Sequence, residues 1–175
     1  MPHSWVIRSL IVMRMVIFVG TKVDKKMVQI RQSNEEDAEV ITGFQIKMAL
    51  ETENMVLDPE TVSQGVLNVY RNPGKGKYVV AVEGEQIIGG LLLTYEWSDW
   101  RNNTVVWIQS VYVLPGFRKR GVFNALYETV KSMVNEDPSF AGIRLYVDRT
   151  NHNAQKVYKK SGMNGDHYQV FEWMK

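Results

Sequence analysis

One stretch constrains this sequence more than any other: Val111-Tyr-Val-Leu-Pro-Gly-Phe-Arg-Lys-Arg-Gly-Val-Phe-Asn-Ala-Leu126. It reads as an apolar strand, a Pro-Gly turn, three consecutive cations, a glycine, and the start of a helix with apolar residues at helical spacing. No acid occurs from Trp100 through Tyr127, where the chain's 19 acidic residues in 175 would place about three. The first turn of a helix normally attracts carboxylates, because its free N–H groups and the dipole make it positive. A helix start without acids, preceded by Arg118, Lys119 and Arg120, suits an anionic ligand such as a phosphate ester. An ordinary solvated turn is the alternative reading of the same residues.

Composition narrows the chemistry. A formal charge of +2 is too small to imply nucleic-acid binding. The chain has no cysteine, so disulfides, a thiol nucleophile and cysteine-ligated zinc are excluded. His3, His152 and His167 lack the i, i+4 spacing of helical metal ligands, and no metal is expected. Absence of cysteine fits a reducing cytoplasm, the expected location. Residues 1–26 are read as an N-terminal extension, disordered or not native. Their apolar run Val6–Val19 is interrupted by Arg8 and Arg14, too short and too charged for a membrane span. Residues 27–175 are read as a single domain.

Local patterns give an element order. Val28–Gln32 alternates as a strand, and Ser33-x-x-Glu36 reads as a capping box for a helix carrying Ala38, Ile41, Phe44 and Met48 on one face. Asp58-Pro59-Glu60 opens a second helix that stops near Asn72-Pro73-Gly74. Tyr78–Glu83 and Gln86–Trp97 form a hairpin around Gly84-Glu85, and Thr104–Leu114 is the next strand. A helix follows over Val122–Asn135, then a strand over Gly142–Val147, a short helix over Asn151–Ser161, and a last strand over His167–Trp173. The order β-α-α-β-β-β-α-β-α-β implies a mixed α/β (α+β) fold with a largely antiparallel sheet and one β-α-β crossover.

The stretch Val111–Leu126, followed by Leu145-Tyr-Val-Asp-Arg-Thr-Asn-His-Asn-Ala-Gln-Lys-Val-Tyr-Lys-Lys-Ser-Gly-Met163, resembles the GNAT N-acetyltransferases. In that family a strand ending in Val-x-Val precedes Arg/Gln-x-x-Gly-x-Gly/Ala. Here the loop is Arg118-Lys119-Arg120-Gly121-Val122-Phe123, which matches except that Phe123 replaces the usual small residue and would narrow the approach to the helix start. A second pattern, Asn-x-x-Ala-x-x-x-Tyr, is intact at Asn151, Ala154 and Tyr158, with Gly162 where the family places a glycine. The segments Glu51-Thr-Glu53, Tyr95–Trp100 and Trp107–Val113 are similar to a cluster of uncharacterised bacterial members.

The resemblance implies acetyl-CoA as cosubstrate. The N–H groups of Arg118 through Phe123 would bind its pyrophosphate, the backbone of Val111, Tyr112 and Val113 would pair with the pantetheine arm, and Asn151 or Asn153 would touch that arm too. Tyr158 would protonate the leaving thiolate. A phenol of pKa ~10 is a reasonable acid for a thiolate of pKa ~8.5. Many members carry a glutamate on the central strand where Trp107 stands here, and this strand has no acid at all. Glu51 and Glu53 at the end of the first helix, and Glu96 beside the central strand, are therefore the candidates for the general base. Glu51, Glu53 and Asp99 would otherwise form a mouth that receives a cation, with Trp97, Trp100 and Trp107 as cation–π walls.

The expectation is an N-acetyltransferase acting on a primary amine of a small molecule, by direct attack on the thioester. A protein N-terminal or lysine acetyltransferase is the alternative within the class, and a non-catalytic acyl-CoA sensor is the alternative outside it. Nucleic acid and membrane are not expected partners. The aromatic ends Tyr168, Phe171 and Trp173 permit a homodimer.

Overall fold

The computed structural model describes residues 27–174. The expectations for residues 1–26 fall outside it. Strand β1 (Val28–Gln32) leads into α1 (Ala38–Glu53) and α2 (Pro59–Arg71). Strands β2 (Lys77–Glu83), β3 (Gln86–Ser98) and β4 (Asn103–Val113) follow, then α3 (Val122–Glu136), β5 (Phe140–Arg144) and α4 (His152–Lys160). The sheet runs β1-β2-β3-β4-β5, with every neighbouring pair antiparallel except β4 and β5, which are parallel and joined through α3.

Apolar residues alternate along the sheet and bury its two faces against different helices. On one face Leu91, Leu93, Val106 and Ile108 pack against Val122, Leu126, Val130 and Val134 of α3. On the other, Tyr78 and Val80 pack against Ile41 of α1 and Val66 and Val69 of α2. These helices cover the β1–β4 side of their face. Toward β5 the same face carries Thr94, Glu96, Trp107, Gln109 and Arg144, which are only half-buried.

Three local expectations need correction. The chain enters α1 through a short 3-10 turn at Glu35–Asp37, and the box that caps this turn is Asn34 with Asp37, one residue later than the sequence suggested. Asp37 Oδ2 accepts from the Asn34 N–H at 2.9 Å and from Arg31 at 2.7 Å, while Ser33 is buried and its hydroxyl bonds Tyr70 at 2.7 Å. Asp37 wins over Glu36 because one carboxylate satisfies both an orphan N–H and a neighbouring guanidinium. Strand β5 begins at Phe140 rather than Gly142, since Phe140 pairs with Thr104, and it ends at Arg144, the last residue with a partner on β4. The expected strand His167–Trp173 is not formed. Its apolar residues do not hold one face: Tyr168 and Val170 fall on one side of an extended chain, Phe171 and Trp173 on the other. A strand there gains burial only if both faces are covered. Phe171 and Trp173 are instead almost fully exposed.

Candidate active site

Strands β4 and β5 part beyond the Trp107–Arg144 pair, so β4 from Ile108 to Val113 has β3 on one side and, among the described residues, no strand on the other. Ser110, with φ +51°, marks a bulge where pairing slips between Gly90–Tyr112 and Leu92–Gln109. A side chain at Gly89 would meet the Tyr112 carbonyl oxygen at 2.8 Å, so β3 needs a glycine to approach β4 this closely. A bulge changes twist and frees backbone groups. The bulge lies beside the bare edge at Val111–Val113, which β5 leaves uncovered by ending at Arg144.

That edge runs directly into the cationic loop. Leu114–Phe117 turns tightly, with N–H bonds from Phe117 to Leu114 at 2.8 Å and from Arg118 to Pro115 at 3.3 Å. The Arg118 N–H is therefore engaged. The N–H groups of Lys119, Arg120, Gly121, Val122 and Phe123 make no hydrogen bond of normal geometry among the described residues, and the first helical bond is Ala125 N–H to Gly121 O at 3.0 Å. The first turn of α3 carries no acid. Gly121 has φ +82°, and a Cβ there would meet no protein atom within 4 Å, so its requirement is conformational. Five N–H groups left without partners at a helix start suit a pyrophosphate.

The three cations do different things. Arg118 turns inward: its Nε donates to Val113 O at 2.8 Å, one amino group reaches Glu51 at 2.6 Å, and the guanidinium lies 5.4 Å from the centre of the Tyr112 ring. Arg120 pairs with Glu83 at 2.5 Å and sits 4.9 Å over Phe117. Two ion pairs thus pin the loop, one to α1 and one to the end of β2. Lys119, with φ +61°, makes no ion pair among the described residues. Its ammonium is free to meet an anion.

Phe123 does not stand over the loop. Its ring stacks on Tyr127, with centroids 6.0 Å apart, and meets Tyr158 edge-on at 5.3 Å. Tyr158 lies on the inner side of α4, and burial raises its phenol pKa above the usual value. Asn151 caps α4, its Oδ1 accepting from the Ala154 N–H at 3.0 Å, while its amide donors make no hydrogen bond among the described residues. Asn153 is exposed in the first turn of α4.

The three carboxylates proposed as bases occupy different surroundings. Glu51 accepts from Arg118 and, at 2.9 Å, from the Tyr112 hydroxyl. The hydrogen bond from Arg118, helped by that from Tyr112, holds its carboxyl below the ordinary range. Glu96 is held on both oxygens at 2.5 Å, by the Trp107 indole N–H and by Arg144. Glu53 is exposed at the end of α1. Asp99 lies in the β3–β4 turn at the opposite end of β4, about 33 Å from Val113 at 3.3 Å per residue. It therefore does not join Glu51 and Glu53 in one mouth. Trp97 and Trp100 belong to that distant, exposed end. Trp107 alone of the three tryptophans lies beside the cleft, with Arg144 6.0 Å from its ring.

Sequence reasoning passed over Arg144 and Tyr146. The available signal was their i, i+2 spacing within the strand expected over Gly142–Val147, which would put both on the face opposite Ile143 and Leu145. Their importance depends on a contact across the sheet, since Tyr146 packs on Trp107 at 6.1 Å.

Comparisons with known proteins agree with this geometry. Residues 45–163 match the model of the Acetyltransferase (GNAT) family. A solved structure titled as a possible acetyltransferase from Clostridium difficile 630 is 36% identical, covers 85% of this chain and 97% of its own, and superposes with a TM-score of 0.79. An aminoglycoside acetyltransferase from an uncultured soil metagenomic sample, solved with sisomicin, shares the fold at 16% identity and a TM-score of 0.66, over 85% of this chain and 95% of its own. The ribosomal-protein-alanine N-acetyltransferase of Brucella melitensis biovar Abortus 2308 shares it at 13% identity and 0.70, over 85% and 100%. No curated protein matches the chain. With a family match over most of its length and this splayed strand pair at its centre, the chain belongs to the GNAT acetyltransferase family.

Proposed function

We propose that this acetyltransferase moves the acetyl group of acetyl-CoA to a primary amine on a small molecule. The observation that carries the reading is the continuity of three features: the bare edge of β4, the unsatisfied N–H groups at the start of α3, and the half-buried phenol of Tyr158 beside Phe123. The N–H groups of Lys119 through Phe123, with the Lys119 ammonium, would hold the pyrophosphate. Backbone groups of Val111, Tyr112 and Val113 would pair with the pantetheine arm, and one N–H there would polarise the thioester carbonyl. The Asn151 amide would touch the same arm.

Acetyl-CoA supplies an activated acyl group, and the amine attacks it directly. The new N–C bond forms as the C–S bond breaks, Tyr158 gives its proton to the departing sulfur, and the nitrogen loses one proton. Glu51 and Glu96 are poor acceptors for that proton, since each is already spent on an arginine and a second donor. Glu53, acting through water, is the carboxylate left with capacity to take it. Aminoglycoside and ribosomal-protein acetyltransferases share this fold, so fold alone does not choose the acceptor. The engagement of Glu51 and Glu96 favours one rival, an acyl-CoA sensor without turnover.

Thermal shift with acetyl-CoA, CoA, NAD and ATP tests the cosubstrate, and stabilisation by the two CoA species alone is expected. Thiol release across an amine library then tests transfer. Binding without release for any amine would establish the sensor instead. Exposed Phe171 and Trp173 support association with a second copy of the chain, which sedimentation equilibrium measures directly.

A further inference from the structure

We infer that Arg144 reads a carboxylate on the acceptor, which makes the acceptor an amino acid rather than a plain amine or a polyamine. This rests on the acetyl-transfer reading of the same cleft. Arg144 is the last residue of β5 and sits on the final rung with β4, opposite Trp107, where the two strands part. Its side chain contacts Glu96 and Trp107 and so lies on the face opposite the α3 core, the face that also carries Tyr112 and Glu51. An acceptor whose nitrogen approaches the bare edge of β4 from that face presents its other end to Arg144.

The guanidinium there is preorganised. Glu96 holds one amino group at 2.5 Å and is itself fixed by the Trp107 indole at 2.5 Å. Trp107 and Tyr168 flank the guanidinium, their ring centres 6.0 and 5.7 Å from its carbon. An arginine carries five N–H donors. Only one of its nitrogens is hydrogen-bonded among the described residues, and the side chain keeps 31% of its accessible surface. A planar fork with free donors matches a carboxylate in two-point contact.

The charge balance selects further. Because Glu96 already offsets part of the arginine's charge, a monoanion is favoured over a phosphate dianion, which Glu96 would repel. A polyamine would bring a second ammonium against Arg144, with no free carboxylate at that point to receive it. The Trp107–Tyr146 pair, with centroids 6.1 Å apart, lines the same corner with aromatic surface, so the amino acids favoured are those with apolar side chains.

Matched pairs test this: phenylalanine against phenethylamine, methionine against 3-(methylthio)propylamine, leucine against isoamylamine. Thiol release gives kcat/KM for each, and calorimetry with CoA present gives the affinity for N-acetylphenylalanine and N-acetylphenethylamine without any turnover. Wild type should favour the carboxylate member of every pair. Arg144→Gln should cut that preference roughly 10- to 100-fold, mainly through a higher KM for the carboxylate members, and Arg144→Lys should fall between. Equal treatment of both members by wild type, in turnover and in binding, overturns the inference. So does an equal loss for both members in Arg144→Gln and Arg144→Lys. Selective binding of N-acetylphenylalanine that Arg144→Gln abolishes, with no thiol release from any amine, upholds the carboxylate site and sinks acetyl transfer instead.

Discussion

Phe123 meets Tyr158 edge-on, with ring centroids 5.3 Å apart and planes at 61°. The residue that departs from the family's small side chain at the start of α3 is thus a wall for the phenol. Edge-to-face aromatic pairs contribute roughly 0.5–1.5 kcal/mol beyond simple burial. The contact also keeps water from one side of Tyr158, and burial is what raises its pKa.

Replacing Tyr158 with Phe removes the proton donor and keeps the ring. The expected result is a fall in kcat of about 100-fold or more, within the range for loss of a general acid, with little change in acetyl-CoA affinity. Single-turnover kinetics and calorimetry read the two effects separately. Unchanged kcat would refute the acid role.

Phe123→Ala should leave the phenol in place and let water reach it. Because burial raises the Tyr158 pKa, exposing the ring moves that pKa down toward the ordinary value near 10. The alkaline limb of the kcat profile, which follows loss of the neutral phenol, therefore shifts to lower pH. A limb that stays put while kcat falls would place Phe123 in a packing role alone.

Glu51→Gln should release Arg118 from α1. The folded pKa of Glu51 is depressed, so its ion pair stabilises above the unfolded carboxyl pKa of about 4.3, and that contribution is lost as pH falls through the folded value. The wild-type advantage in melting temperature over the variant should therefore exist at pH 7 and vanish in acid. Both groups are part-exposed, so the advantage should be small and weakened by salt. If Glu51 were the base, kcat would collapse across the whole pH range instead.

Gly121→Ala places a side chain at φ +82°. The strain costs roughly 1–2 kcal/mol, and relief by rotating the backbone would shift the N–H groups at the start of α3. Weaker acetyl-CoA binding with a modest loss of stability is expected. Leu126→Ala offers the contrast. Leu126 is fully buried between α3 and the sheet, so its truncation should cost roughly 3–5 kcal/mol in chemical denaturation and leave the affinity of the folded fraction intact.

Much of the scaffold was legible locally. Asp58 and Pro59 announced α2, and Asp58 does cap it, accepting from the Thr61 N–H at 2.8 Å. Asn151 announced α4 in the same way. Alternating apolar residues located β2, β3 and β4, because period-two burial is written into neighbouring positions. The last strand was misread for the same reason in reverse: β-forming residues occur at His167–Trp173, but a strand also needs a partner edge and covered faces, which no window of sequence supplies.

The sequence by itself determined the acid-free, cation-preceded start of α3. Gly121, the acid-free turn and the preceding cations are adjacent in the chain, and helix-end electrostatics are local. It also determined that no cysteine of this chain serves as a nucleophile or zinc ligand. Only the tertiary structure decided how the charges are spent. Arg118 is paired with Glu51 across 67 residues, Arg120 with Glu83 across 37, and Glu96 with Arg144 across 48. Carboxylates that look free in the sequence become partners once the sheet brings them to an arginine, because ion pairing depends on distance in space and on desolvation rather than on separation along the chain.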